Sequence, residues 1–326
     1  MKALVYEGPQ SIALRTVPDP VPADGDVLVK VEAVGICGSD MHAYHGHDER
    51  RPAPLILGHE AAGTVASGPF EGRRVTVNPL VSCGVCVQCR AGRENLCPHR
   101  RILSMPPREG AFCDYVSTPL ANTVPVPDGV SFEKASLAEP LACGWHAVRV
   151  AERTLNQPLE ETVCLVLGGG AIGFGSALVL RALGATDITV IEPNDLRRPV
   201  LESAGFEVRG VDSFDGSPHL VVDAHGNAAT RAMASRVVQP GGTIVHVGLS
   251  GGDAALDTRR MTLQEITFVG TYTYSPVDFA ETAEAIFDGR LGDLDWPEIR
   301  PLHDGVQAFD AINRGAVAAP KVILKP

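Results

Sequence analysis

Four cysteines lie close together in the first third of the chain, with the spacing C-x2-C-x2-C-x7-C. They are Cys83, Cys86, Cys89 and Cys97. Four thiolates can enclose one zinc ion in a closed tetrahedron, at about 2.3 Å per Zn–S bond. The segment 81–99 has too few apolar residues to order itself, so we expect a metal to supply its folding energy. Two disulfide bridges are the alternative, although cysteines this close rarely pair without strain. A four-cysteine site has no open coordination position, so this lobe is predicted to be structural.

A second set of metal-ligand residue types lies outside this lobe. Cys37 begins the motif C-G-S-D-M-H, and His59 and Glu60 end the motif L-G-H-E. They offer sulfur, nitrogen and oxygen, and a catalytic zinc needs three protein ligands and one open position. Glu139, in L-A-E-P-L, is a further carboxylate that could approach the same ion. A lone cysteine is usually a small buried hydrophobe, so it is the co-occurrence of these residues with the other motifs that favours a metal site.

A glycine-rich turn joins a strand-like to a helix-like segment within residues 163–173. Its letters are V-C-L-V-L-G-G-G-A-I-G, in which Gly168, Gly170 and Gly173 form G-x-G-x-x-G. The first glycine permits a tight turn, the second lets backbone approach a pyrophosphate, and the third lets the helix pack closely on the strand. The phosphates then lie at the positive N-terminus of the helix. Ala171 and Ile172, the first residues of this helix, complete the predicted dinucleotide-binding turn. The alternative is a glycine-rich turn that binds no ligand.

Glu192 follows the next strand-like segment, at the distance from the glycines expected of a residue that binds the adenosine ribose. A carboxylate there accepts hydrogen bonds from the 2′- and 3′-hydroxyls and repels a 2′-phosphate. This favours NAD over NADP. Arg197 and Arg198 follow closely, so NADP stays open, and Arg197 is a further candidate for cofactor binding.

The elements that must position these residues change in character along the chain. The first third has short β-like runs broken by Pro and Gly, which predicts a compact, mostly antiparallel β domain. From about residue 142, strands alternate with helices, which predicts a parallel sheet and an α/β fold. A helix is expected to begin at Ser275 as N-cap and Pro276 as first helical residue. The predicted domains are 1–141, 142–273 and a C-terminal return over 274–326.

Composition excludes several classes of function. A chain of 326 residues is long enough for two domains with cores of their own, and its net charge of −11 argues against a nucleic-acid surface. The other four cysteines are scattered, and the first residues lack the apolar stretch of a signal peptide, so a reducing cytoplasm is expected. The uncharged stretch 163–180 changes from strand-like to helix-like at its glycines, so we expect no membrane span.

Taken together, these motifs resemble those of the zinc-containing medium-chain dehydrogenases/reductases of the alcohol dehydrogenase superfamily. The similarity is greatest to the sorbitol, polyol and threonine dehydrogenase branch, and the motifs follow the family's order from residue 37 to about residue 192. The resemblance implies a split GroES-like β-rich catalytic domain, formed by both chain ends around an inserted, doubly wound Rossmann coenzyme domain. It also implies a cleft that holds zinc and nicotinamide, two zinc ions per chain, and a homodimer or homotetramer.

The resemblance also assigns roles to the residues of the second metal cluster. Cys37 and His59 would be ligands of a catalytic zinc, and Glu60 a ligand or near-ligand. Glu139 would lie beside the metal and exchange into coordination. The zinc would act as Lewis acid and template, and the cofactor would take the hydride.

Ser39 and His42 are the residues that the resemblance assigns to proton transfer. Ser39 would take the hydroxyl proton of the substrate and pass it, through the cofactor ribose, towards His42 and solvent. The alternative for His42 is that it only hydrogen-bonds cofactor or backbone.

The leading hypothesis is NAD-dependent oxidation of a secondary hydroxyl in a small polar alcohol, namely a polyol, cyclitol or amino alcohol. Thr273 stands where sorbitol dehydrogenases carry an arginine that contacts the polyol, so sorbitol itself is not expected. Tyr44, Phe112 and Tyr274 are candidates for the pocket wall or, alternatively, for the core. An NADP-dependent aldehyde or ketone reductase is the second hypothesis. A non-catalytic zinc-stabilised binding protein is the third hypothesis. Such a protein would be expected to lack Cys37, His59 or the glycines of the turn, and all of them are present.

Overall fold

The structure is a computed structural model that describes residues 1–252 and 254–326. It divides into two compact units, the first built from residues 1–139 and 275–326 and the second from residues 140–274. The β-strands are β1 (Lys2–Gly8), β2 (Ser11–Thr16), β3 (Asp26–Gly35), β4 (Leu55–Ile56), β5 (Glu60–Ser67), β6 (Arg74–Val77), β7 (Leu80–Val81), β8 (Arg101–Ile102), β9 (Tyr115–Pro119), β10 (Thr123–Pro125), β11 (Val163–Leu167), β12 (Asp187–Ile191), β13 (Glu207–Arg209), β14 (Leu220–Asp223), β15 (Thr243–His246), β16 (Thr267–Gly270), β17 (Glu298–Pro301) and β18 (Val322–Lys325). The α-helices are α1 (Gly38–Tyr44), α2 (Val87–Arg90), α3 (Phe132–Ser136), α4 (Ala138–Glu152), α5 (Ala171–Ala182), α6 (Arg198–Ser203), α7 (Ala228–Val237), α8 (Thr258–Leu263), α9 (Pro276–Phe287) and α10 (Gly305–Asn313).

The first unit is built on a seven-stranded sheet that joins strands from residues 26–125 to the two C-terminal strands of the chain. Its strands follow the order β10-β6-β5-β3-β18-β17, and β9 also pairs with β3. The long strand β3 is antiparallel to β5, to β9 and to the C-terminal strand β18. A smaller sheet, β2-β1-β4, completes the unit. The predicted antiparallel β domain is confirmed, and the last strand of the chain is one of its central members.

Alternation along β3 sets the core of this unit. Val27, Val29 and Val31 are buried, because every second side chain of a strand faces the same side. Phe112 and Tyr44 belong to the same core, where each ring contacts Phe309 at centroid distances of 5.8 Å and 5.4 Å. Tyr44 and Phe112 are therefore core residues, which was the alternative to a place in the wall of a substrate pocket.

The second unit is a six-stranded parallel sheet. Its order is β13-β12-β11-β14-β15-β16, and every neighbouring pair is parallel. Counted within the unit, this is the order 3-2-1-4-5-6 of the Rossmann fold, in which the order reverses between strands 1 and 4. The reversal lies between β11 and β14 and leaves a crevice at their carboxyl ends. The expected parallel sheet and Rossmann topology are confirmed.

Helix α9 begins where the sequence predicts. Ser275 caps α9: its hydroxyl accepts the N–H of Asp278 at 3.1 Å, and the Asp278 carboxylate accepts the N–H of Ser275 at 2.9 Å. Pro276 is the first helical residue, as expected. The longest helix described, α4, has 15 residues. Across residues 1–252 and 254–326, no helix has both the length and the apolar character needed to cross a membrane.

Candidate active site and metal centres

The four clustered cysteines converge on one point of the first unit. The sulfur of Cys89 lies 3.9 Å from that of Cys83 and 3.4 Å from that of Cys86, and the backbone N–H of Cys83 donates to the sulfur of Cys97 at 3.5 Å. All four are free thiols whose sulfur atoms lie within 4.8 Å of one another. A tetrahedral zinc separates its sulfurs by about 3.8 Å, given Zn–S bonds of about 2.3 Å. The donor set and spacing therefore fit a closed zinc site.

Cys37, His59 and Glu60 also converge, and their ligand atoms all lie within 4.8 Å of one another. Sheet register explains this proximity. Glu60, the first residue of β5, pairs with Gly35, the last residue of β3. Cys37 follows two residues later, directly before α1. The β3–β5 pairing therefore brings the cysteine next to the histidine and glutamate. A sulfur, nitrogen and oxygen donor set with room for a fourth ligand fits a catalytic zinc.

The ring of His59 is held on both sides. Its Nδ1 lies 3.4 Å from Asp40 Oδ1 and 3.4 Å from Ser104 Oγ, and its Nε2 lies 3.5 Å from Ser39 Oγ. A carboxylate on one nitrogen orients a histidine so that the other can bind metal. Burial alone would lower the pKa of His59, but the negative charges of Asp40 and Cys37 outweigh it and raise the pKa well above its ordinary value. The sequence motif contained Asp40, yet its role became evident only in the structure.

Glu60 carries an ion pair that sequence reasoning missed. Its Oε1 lies 2.5 Å from Nζ of Lys321, which also donates to the carbonyl of Ile36 at 2.9 Å. Lys321 is 4% exposed and Glu60 is fully buried. Burial alone would lower the pKa of Lys321, but the charges of Glu60 and Cys37 raise it above its ordinary value, so the ammonium stays charged. In the sequence, Lys321 is a single lysine before an apolar strand, and nothing there indicates an ion pair with Glu60.

The second oxygen of Glu60 has no partner. Oε2 is buried and makes no hydrogen bond within the described chain. A Cβ at Gly35 would lie 1.9 Å from this oxygen, so only glycine leaves room for the carboxylate here. An unpaired, buried carboxylate oxygen is costly unless it binds a cation. This observation fits a metal ion at the Cys37–His59–Glu60 cluster.

The remaining predicted residues of this site lie on two helices. Ser39 and His42 are three residues apart in α1, so they share one face of it. Burial and the nearby His47 lower the pKa of His42, so it is neutral near pH 7 and able to accept a proton. Glu139 is buried near the start of α4 and lies outside the three-residue cluster, although its charge contributes to the raised pKa of Lys321.

The glycine-rich turn lies at the carboxyl end of β11, where the strand order reverses. Gly168 has a φ of 100°, the left-handed region that favours glycine. A Cβ at Gly173 would lie 1.8 Å from the carbonyl of Gly168, so the helix can pack this closely only with glycine there. At Gly170 the nearest atom would be 4.0 Å away, on Arg197, which leaves the open approach a pyrophosphate needs. Ala171 and Ile172 form the first turn of α5.

Glu192 directly follows β12 but points back towards the glycine turn. Its two oxygens accept the N–H of Gly169 at 2.8 Å and the N–H of Asn194 at 2.7 Å. Nη1 of Arg197 lies 3.6 Å from the same carboxylate. Arg197 also has a buried Nε with no hydrogen-bond partner within the described residues. The carboxylate thus lies at the predicted position and is oriented by backbone donors, and its contact with a ribose stays a prediction.

The parallel-sheet unit with its glycine turn, together with a β-rich unit that holds two metal-ligand clusters, defines an oxidoreductase of the zinc alcohol dehydrogenase type. Residues 23–128 match the family model "Alcohol dehydrogenase GroES-like domain", and residues 171–288 match "Zinc-binding dehydrogenase". The chain is 32% identical over 309 residues to L-galactonate-5-dehydrogenase of Escherichia coli (strain K12). That alignment covers 89% of this chain and 88% of the relative. It is 34% identical over 297 residues to sorbitol dehydrogenase of Bacillus subtilis (strain 168), covering 84% of this chain and 83% of that one.

Solved structures also include a zinc-binding dehydrogenase that is similar to this chain. A protein of Sinorhizobium meliloti 1021, assigned as a zinc-binding dehydrogenase and bound to NADP, superposes with a TM-score of 0.89 at 29% identity. The alignment covers 100% of this chain and 99% of that one. The chain therefore belongs to the zinc-containing medium-chain dehydrogenases/reductases, in their polyol dehydrogenase branch. It is an NAD(P)-dependent oxidoreductase that acts on CH–OH groups of small alcohols.

Proposed function

We propose that the enzyme oxidises a secondary hydroxyl of a small polyol, cyclitol or amino alcohol, with NAD as the hydride acceptor. The observation that carries this proposal is the convergence of Cys37, His59 and Glu60 within 4.8 Å, with Ser39 Oγ 3.5 Å from the His59 ring. Two relatives are named for sorbitol and for L-galactonate, both open-chain polyhydroxy compounds. Their names support an open-chain polyol as the first substrate class to examine.

We propose two zinc ions per chain, one at each cluster. The four-cysteine lobe would hold a structural ion, because its donors leave no open position. Cys37 and His59 would hold the catalytic ion, with Glu60 as ligand or near-ligand and Glu139 close by. Zinc bound there would polarise the alcohol oxygen as a Lewis acid. Asp40 orients the ring of His59, and Lys321 binds one oxygen of Glu60, which leaves the other oxygen for a metal ligand bond.

Ser39 and His42 would move the hydroxyl proton. The Ser39 hydroxyl accepts a proton from the alcohol while it gives up its own, so the charge does not remain on the serine. His42 lies one turn further along α1 and is neutral near pH 7, because burial lowers its pKa. Its side chain is half-buried and can release the proton to solvent.

The cofactor preference is proposed from Glu192. Its carboxylate is fixed by the N–H groups of Gly169 and Asn194, so it presents negative charge where a 2′-phosphate would bind. Arg197, 3.6 Å away, is the feature that favours NADP, and the Sinorhizobium meliloti relative holds NADP. Fluorescence titration with NADH and NADPH decides between them. Tighter binding of NADPH would refute the NAD assignment.

Thr273 bears on the choice of substrate. It follows β16 with a φ of 47°, and its hydroxyl is buried without a partner among the described residues. An unpaired hydroxyl has one donor and two acceptor positions, whereas the arginine of sorbitol dehydrogenases has five donors. We therefore propose that the preferred alcohol differs from sorbitol in its pattern of hydroxyl groups.

A homodimer or homotetramer is proposed as the active form. β16 is an edge strand, and within the described sheet one of its sides pairs with no other strand. Its side chains are only half-buried, and unpaired edge groups can accept a strand from a second copy. Light scattering after size exclusion measures the mass directly, and a monomer would contradict the proposal.

The central experiment is a substrate screen that follows NADH absorbance with polyols, cyclitols, threonine and simple alcohols. Cys37→Ser should abolish turnover of every substrate found, while the four-cysteine lobe keeps its zinc. Cys164→Ala is the matched control, because this buried cysteine lies in β11 outside either cluster. Turnover that survives Cys37→Ser would refute the proposed site.

A further inference from the structure

One arginine outside the known motifs contacts both serines that flank the ring of His59. Arg51 lies in the segment between α1 and β4 and is only 3% exposed. Its Nε donates to the carbonyl of Ser104 at 3.0 Å, and its Nη1 donates to the carbonyl of Ser39 at 3.1 Å. A guanidinium has its donors in a fixed fork, so two acceptors bound to it are held at a fixed separation.

The charge of this arginine is balanced locally. Nη1 also donates to Asp48 Oδ2 at 2.9 Å, and both side chains of the pair are almost fully buried. Breaking one side of a buried ion pair is strongly destabilising. Burial of an ion pair carries a desolvation cost, so its position calls for an explanation. The two carbonyls that Arg51 binds provide one.

The serines held by Arg51 are those whose hydroxyls meet the two nitrogens of His59. Ser39 Oγ lies 3.5 Å from Nε2, and Ser104 Oγ lies 3.4 Å from Nδ1. Ser104 is fully buried and has a φ of 66°, a left-handed conformation that a non-glycine residue adopts only under constraint. The hydrogen bond from Arg51 to its carbonyl is a contact that stabilises this conformation.

We propose that Arg51 is a positioning residue of the metal centre: by joining the backbone carbonyls of Ser39 and Ser104, it fixes the backbone of the two residues that flank the ring of His59. The inference rests on the proposed function, because the role of Ser39 in proton transfer comes from it. Arg51 acts through the serines and the histidine and has no direct role in the chemistry. Lysine, with a single ammonium, cannot hold both carbonyls at the separation that the fork imposes.

The test compares Arg51→Gln and Arg51→Lys with Arg50→Gln. Arg50 is the matched control, because it binds the same Asp48 carboxylate at 2.8 Å but has an exposed side chain. Each protein is loaded with cobalt in place of zinc, and its visible spectrum and its rate of metal loss to a chelating dye are recorded. The bands that disappear in Cys37→Ser assign the signal to the His59 site and not to the four-cysteine lobe.

Arg51→Gln should release metal from this site about ten- to a hundredfold faster and shift its cobalt bands, as changes in residues that orient metal ligands do. Arg51→Lys should fall between Arg51→Gln and the unchanged protein, and Arg50→Gln should match the unchanged protein. The kcat should fall in the same order, with the KM for the cofactor unchanged.

Unchanged bands and release rate in Arg51→Gln would overturn the proposal and leave Arg51 with a purely structural role. If Arg51→Gln fails to fold, Arg51→Lys keeps the positive charge and decides the question by the same two measurements. Should the unchanged protein oxidise no alcohol, the proposed function fails, whereas the order of metal release still tests Arg51.

Discussion

At the scale of single residues, the Glu60–Lys321 pair shows how charge is placed around the metal cluster. Both groups are buried, and one carboxylate oxygen faces the ammonium while the other has no partner in the described chain. A carboxylate neutralised on one side is a weaker metal ligand than a free one. If zinc binds at the proposed site, the ion pair with Lys321 would weaken Glu60 as its ligand.

Replacing the lysine should destabilise the protein strongly. Lys321→Met leaves the buried Glu60 charge uncompensated, and we expect a loss of about 3–5 kcal/mol in the free energy of unfolding. Lys325→Met is the control, because its partner Glu133 is partly exposed and such a pair contributes at most about 1 kcal/mol. Urea denaturation of both variants measures the difference.

A second comparison tests the reason for that loss. The double variant Lys321→Met/Glu60→Gln contains no uncompensated charge, so it should recover part of the lost stability. Equal losses in Lys321→Met and Lys325→Met would show that the buried pair has no special role.

At the scale of elements, the turn between β11 and α5 separates folding from cofactor binding. Gly170 has an extended backbone, with φ −71° and ψ −176°, which any residue can adopt. Gly170→Ala should therefore change stability by less than about 0.5 kcal/mol. Its methyl group would stand where the pyrophosphate approaches, so the Kd for NADH should rise by about tenfold or more.

Gly173→Ala is the companion to this variant. Its Cβ would lie 1.8 Å from the carbonyl of Gly168, so the helix must shift and the protein should lose stability as well as NADH binding. Thermal unfolding and NADH fluorescence, measured on both variants, separate the two effects. Wild-type affinity in Gly170→Ala would place the pyrophosphate elsewhere.

The four-cysteine lobe is an element whose order should depend on a bound metal. Cys97 is fully buried, and removing its thiolate with Cys97→Ser should lower the metal content from about two zinc ions per chain to about one. Hydrogen exchange should then lose its protection across 83–97 while the six-stranded sheet keeps its own. Retention of both metal ions in this variant would contradict a four-cysteine site.

At the scale of the whole molecule, the two units differ in how their chain segments are arranged. The second unit is one continuous segment, residues 140–274, with its sheet and the core around Leu165, Val221 and Ile244 inside it. The first unit needs both ends of the chain, since β18 pairs with β3. Independent folding is therefore expected of one unit and not of the amino-terminal part of the other.

Expression of the separate segments tests this expectation. Residues 140–274 alone should unfold in one cooperative transition, with a free energy of about 5 kcal/mol or more. Residues 1–139 alone lack β17 and β18 and should be unfolded or aggregated, because the carboxyl end of β3, at Val34 and Gly35, then loses its pairing with β18. Circular dichroism during urea titration measures both. A cooperative transition in 1–139 would show that the C-terminal strands are dispensable.

The sequence by itself determined those parts of the site that short spacing controls. Four cysteines within fifteen positions can meet around one ion without help from distant chain, and the turn from Gly168 to Gly173 is shaped by its own backbone. The alternation of strand and helix after residue 142 likewise predicted the parallel sheet. Such features were readable because neighbours in sequence are also neighbours in space.

Only the tertiary structure decided which residues surround the Cys37–His59–Glu60 cluster. Lys321 is 261 positions from Glu60, and Arg51 is 53 positions from Ser104. Neither residue belongs to a motif, and both would be taken for ordinary surface charges. They reach the site because β18 joins β3 and because the chain folds back around His59. A buried charge must be compensated by whichever group the fold brings near it, and sheet pairing, which local sequence does not encode, selects that group.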